Sequence, residues 1–104
     1  MGNTGTGAGG TIVAQSYHAK LVIPLPRDKA LAEYYQWQCS KVDSPTWKAG
    51  FWAPYQITKK ECLDLRHVYT TKDVEFYTKQ GVKLGIALSF IEDIRDWVQE
   101  TFNE

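Results

Sequence analysis

LDLRHVYTTKDVEFYTKQGVKLGIALS, Leu63 to Ser89, is the stretch on which the fold turns, because its apolar residues fit two different periods. Leu63, Leu65, His67 and Tyr69 alternate. VYTT and VEFYT are dense in β-branched and aromatic residues, and Val82, Leu84, Ile86 and Leu88 recur at every second position. A period of two puts one set of side chains on one face of an extended chain. On that basis GFWAPYQI (50–57) is a strand, TKKE a turn, CLDLRHVYT a strand, TKD a second turn, and VEFYTKQ leads into GVKLGIALS.

The competing period is helical. Thr58 with Glu61 forms a capping box opening a helix through Val68, and a second helix from Lys72 to Gln80 stops at Gly81. Two short helices before a strand would resemble a winged helix that reads duplex DNA. The β-branched and aromatic density favours the meander.

From Ser89 the period changes. Phe90, Ile91, Ile94, Trp97, Val98 and Phe102 are three and four apart, and Ser89 with Glu92 has the spacing of a capping box. A terminal amphipathic helix is expected. Upstream, Tyr17, Ala19, Leu21 and Ile23 alternate within Thr11–Leu25, a strand ended by Pro24 and Pro26. Asp28 then caps a helix from about Lys29 to Cys39 with Leu31, Tyr34, Tyr35 and Gln38 on one face. Asp43, Ser44 and Pro45 mark a loop. Residues 1–10, MGNTGTGAGG, hold five of the eight glycines and are expected to form a disordered leader. Gly2 and Thr6 satisfy the myristoylation pattern, which a Gly/Thr tract meets easily.

With 104 residues and 43% hydrophobic content, residues 11–104 are expected to form one α+β domain: an antiparallel sheet backed by the terminal helix. Twelve basic residues balance twelve acidic ones, which argues against a strongly basic nucleic-acid binder. Four Trp, six Tyr and four Phe are more than so short a chain buries completely, so some are expected on an exposed surface or a subunit interface. Two cysteines far apart, no apolar run long enough for a membrane helix and no signal-peptide pattern point to an intracellular protein of nucleus or cytoplasm.

The order of motifs in Leu63–Ser89, followed by the amphipathic helix, resembles the carboxy-terminal domain of the positive cofactor four transcriptional coactivators. Asp64, Leu65 and Arg66 match that family's apolar-Asp-Ile-Arg strand, Tyr69 its aromatic end, Asp73 its acidic turn, and Gly85, Ile86 and Leu88 its later strand. The likeness covers roughly the last half of the chain. The hairpin between Arg66 and Gly85 is longer than in the family, and its basic Pro-Gly-Lys-Lys-Gly approach is replaced by Lys79, Gly81, Lys83 and Gly85. The resemblance implies a homodimer whose sheets bind single-stranded nucleic acid.

Stacking of bases on aromatic faces and pairing of phosphates with lysines need no sequence code. The nucleic-acid contacts expected on this basis are Trp52, Tyr55, Lys59, Lys60, Tyr77, Lys79 and Lys83. Phe90, Ile94, Trp97 and Val98 are the expected dimer seam. For the aromatics, packing in a core or interface is as good an explanation as stacking.

Catalysis has little support. His18 and His67 are isolated, no Cys/His spacing suits zinc, and no phosphate loop is present, so neither metal nor cofactor is expected. Cys62 and His67 would fall on opposite faces of a strand and could pair only on a helical reading. The expected function is therefore non-sequence-specific binding of single-stranded DNA or RNA in transcription or replication, alongside proteins of those processes. The alternatives are a protein-interaction module and a winged-helix duplex binder.

Overall fold

The computed structural model describes residues 21–102. Six helices follow one another among them: α1 (Arg27–Ser40), α2 (Pro45–Lys60), α3 (Leu65–Thr71), α4 (Val74–Thr78), α5 (Leu84–Glu92) and α6 (Ile94–Phe102). No strand occurs among the described residues. The expected α+β class and antiparallel sheet are overturned, and with them the sheet that the family resemblance implied. Residues 21–25 of the expected first strand are irregular chain, and residues 1–20, including the Gly-rich leader, lie outside the described residues.

Local caps explain why the decisive stretch winds into helices. The Asp64 carboxylate accepts from the amides of Arg66 at 2.8 Å and His67 at 3.4 Å, and the Asp64 amide donates to His67 Nδ1 at 3.0 Å. This closes a capping box with His67 in the place usually taken by Glu. Asp73 accepts from the Phe76 amide at 3.1 Å and starts α4 in the same way. Between the two helices Lys72 takes a left-handed φ of 49°, and after α4 Gly81 turns the chain with a φ of 96°. Two aspartates thus fix two short helices where alternation suggested strands.

The alternation of Val82, Leu84, Ile86 and Leu88 has a different cause. Leu84 is 61% exposed, whereas Val82 and Ile86 are buried. Ile86, Ala87, Phe90, Ile91, Ile94, Trp97 and Val98 are the inward residues, spaced one, three and four apart along α5 and α6. The expected terminal helix is present but starts at Leu84, so Ser89 lies inside α5 and its carbonyl accepts from the Asp93 amide at 3.0 Å. Asp93 joins the last two helices, its carbonyl accepting from the Trp97 amide at 3.0 Å.

The segment expected as the first hairpin strand is α2. Ser44 caps it by accepting from the Trp47 amide at 3.3 Å, Pro45 occupies the first turn, and Lys59 and Lys60 complement the carboxy-terminal dipole. Pro54 sits in its interior. Proline in a helix removes one hydrogen bond and crowds the carbonyl four residues back. That residue is Gly50, and a Cβ there would stand 3.0 Å from Ile86 Cδ1, so the absence of a side chain brings α2 close to α5.

Tyr34 ties the core together from α1. It is fully buried against Phe90 and Trp97, with ring centroids 5.3 and 5.4 Å away, and its hydroxyl donates to the Phe90 carbonyl at 2.8 Å. Burial pushes its phenol far up from the ordinary tyrosine range. Gln38, one turn on and also buried, donates to the Tyr34 hydroxyl at 2.9 Å and to the Asp93 carboxylate at 3.2 Å. The Tyr34 hydroxyl and the Gln38 amide N–H groups are therefore paired inside this core.

Candidate functional site

Chain reversal at residues 41–44 lays α1 along α2, and the edge of that pair carries the aromatic residues not used by the core. Lys48, Trp52, Tyr55 and Lys59 are spaced i, i+4, i+7 and i+11 and so share one stripe of α2. Tyr35 of α1 meets this stripe. Its ring stacks on Tyr55, centroids 5.0 Å apart and planes at 17°, while Trp52 lies 5.4 Å from both rings and is inclined to each. Lys59 Nζ stands 5.8 Å from the centre of the Tyr55 ring.

These rings are held but not hidden. Trp52 is 48% exposed, Tyr35 and Tyr55 are half-buried, and Trp47 at the start of α2 is 57% exposed. Partial burial, then the neighbouring Cys39 and Tyr55, push the Tyr35 phenol up from the ordinary tyrosine range. The result is an aromatic patch braced ring against ring, with a lysine at each end of its stripe.

Of the residues expected to contact nucleic acid, Trp52, Tyr55 and Lys59 are brought together here. Lys60 is exposed on the same helix but a fifth of a turn or more round from the stripe, by the ~100° step per residue of a helix. Tyr77 is buried, with its hydroxyl 2.7 Å from that of Thr58. Lys79 and Lys83 cap the end of α4 and the start of α5 and do not belong to the stripe. The expected seam residues Phe90, Ile94, Trp97 and Val98 are packed inside the protomer.

Sequence reasoning did not single out Tyr35, Trp47 or Lys48 for this site. The signal was the helical spacing from Lys48 to Lys59, which is invisible once GFWAPYQI is taken as a strand.

Other features are already committed. A cavity of about 270 Å³ is bounded by Leu25, Arg27, Ala30, Asp64, Leu65 and Arg66 among others. Its charges are paired with each other: Arg27 Nε lies 3.5 Å and Arg66 Nη2 3.1 Å from the Asp64 carboxylate. Burial pushes the Asp64 carboxyl up, but hydrogen bonds from the Arg66 side chain and amide, with the charges of His67 and Arg66, outweigh it and hold the group below its ordinary range. Among the described residues no three His, Cys, Asp or Glu side chains gather as metal ligands would. Cys39 and Cys62 are free thiols, and the Nδ1 of His67 is taken by the Asp64 amide. No helix of the described residues is long and apolar enough to cross a membrane.

Comparison of the chain with protein-family models, with curated proteins and with solved structures finds no match.

Proposed function

We propose that this chain is a non-catalytic, intracellular protein-interaction module that docks its partner on the α1–α2 aromatic face. The observation that carries this reading is Trp52, half exposed yet braced by Tyr35 and Tyr55. Trp and Tyr dominate the energetics of protein interfaces, and rings already fixed by their neighbours lose little conformational freedom on binding. The balanced charge of the chain suits a protein partner better than a polyanion.

Two expected readings have less support. Homodimerisation through the terminal helix would need Phe90, Ile94, Trp97 and Val98, which the protomer core uses. Single-stranded nucleic acid is favoured only by the Lys59–Tyr55 pairing, a combination that also serves stacking on bases.

The test is to pan a random dodecapeptide library on phage against the full chain, with a W52A/Y55A variant as the counter-target. Peptides that bind the wild type and lose at least tenfold affinity on the variant support the reading. Recovery of only peptides that bind both proteins equally overturns it. Labelled oligothymidine titrated in parallel would reassign the face to nucleic acid if it alone bound in a Trp52-dependent manner.

A further inference from the structure

Resting on that reading, we propose that the partner presents an acidic segment of about five extended residues, with an apolar side chain seated on Trp52 and Tyr55 and carboxylates reaching Lys48 and Lys59.

The charge distribution carries this. The 16 residues of α2 include three lysines, Lys48, Lys59 and Lys60, and no acidic residue. Outside α2, Lys29 lies 3.6 Å from Glu33, Lys41 lies 3.1 Å from Glu100, and Arg27 and Arg66 share Asp64, while Lys72, Lys79, Lys83 and Arg95, on or beside α3 to α6, have no ion-pair partner among the described residues. The lysines of α2 have no ion-pair partner among the described residues. The acids on α1 and at the ends of α2 are Asp28, Glu33, Asp43 and Glu61, and none of them pairs with these lysines. Lys48 and Lys59 thus stand without an ion-pair partner at the two ends of the Trp52–Tyr55 stripe, on a helix with no acid of its own.

Geometry sets the size of the occupant. Lys48 and Lys59 are eleven residues apart, about 16 Å along a helix at ~1.5 Å per residue. An extended peptide covers that distance in about five residues at ~3.3 Å each. With carboxylates at its two ends, the centre of such a peptide falls over Trp52 and Tyr55.

The same geometry disfavours bases. Tyr35 and Tyr55 use one face of each ring on the other, and Trp52 is inclined to both. No run of parallel free faces is left for successive bases. An aliphatic or aromatic peptide side chain needs only the edges and the exposed side of Trp52.

The test compares peptides selected on the full wild-type chain with those selected on a K48E/K59E variant, whose substitutions are exposed and whose circular dichroism checks the fold. Wild-type selections are expected to be acidic at both ends of a central apolar residue, to lose at least tenfold affinity on K48E/K59E, and to weaken as salt is raised. K48E/K59E itself should select neutral or basic peptides. Trp52-dependent peptides with no acidic bias, bound equally by K48E/K59E, overturn the acidic partner and leave the interaction module standing. No Trp52-dependent peptide at all overturns both.

Discussion

The Tyr77 hydroxyl and the Thr58 hydroxyl lie 2.7 Å apart in the interior and join α4 to α2. Thr58 has one proton and gives it to the Pro54 carbonyl at 2.6 Å, so Tyr77 donates and Thr58 accepts. This pair anchors the shortest helix, five residues long, to the longest, and it removes Tyr77 from the surface on which a base could stack.

Replacing Tyr77 by Phe keeps the ring and removes the donor. Chemical denaturation should show a loss of about 1 kcal/mol, the usual net worth of one buried hydrogen bond. Burial pushes the Tyr77 phenol up to about 12. Its unfolded value is near 10. A raised folded value stabilises below the unfolded one and the contribution disappears as pH rises from about 10 to about 12, so Y77F should lose less stability over that interval than the wild type.

Asp64 holds the start of α3 and two arginines at once. D64A should cost about 1–2 kcal/mol, the upper part of the capping range, because Arg27 and Arg66 also lose their partner. With its folded value depressed, Asp64 contributes above its ordinary value near 4 and loses that contribution as pH falls through the folded value. The acid limb of the stability curve should therefore be shallower in D64A.

Two glycines predict opposite effects. Gly81 has a φ of 96°, and G81A should destabilise by about 1 kcal/mol although nothing lies within 4 Å of the new methyl. Gly85 is in the first turn of α5, exposed, with equally open space, and G85A should stabilise by about 0.5–1 kcal/mol. Thermal melts of the two variants side by side check both signs.

Carbon-13 Cα secondary shifts of the full chain should be positive over 65–71, 74–78 and 84–92. Negative values over 63–69 and 82–88 would restore the meander.

What could be read in advance follows from how far each signal is local. The helix expected from Lys29 to Cys39 is α1, and the apolar stripe from Phe90 to Phe102 runs from α5 across Asp93 into α6, because in both stretches the inward residues keep a spacing of three and four. The α1 start was less legible: Pro26 stands at the cap and makes no side-chain bond, while Asp28 lies inside the first turn. Leu63–Ser89 was misassigned because three of its helices have five to nine residues, too short to display a period against β-branched neighbours. The helical alternative came closer, since it stopped its second helix at Gly81. Its Thr58–Glu61 box was misplaced: the hydroxyl of Thr58 is buried within α2 and bonds backward to Pro54.

The site was half legible for the same reason. Residue type alone points to Trp52, Tyr55 and Lys59, and these share one stripe of α2. Residue type points equally to Tyr77, which is buried, because type does not distinguish an inward ring from an outward one.

The most direct measurement is a titration of the nitrogen-15 labelled full chain with a peptide recovered by panning, followed by amide and indole chemical shifts. The docking face proposed here predicts saturable changes at Tyr35, Lys48, Tyr55, Lys59 and the Trp52 indole, with α6 unmoved. Changes confined to α5 and α6, or none at Trp52, would contradict it.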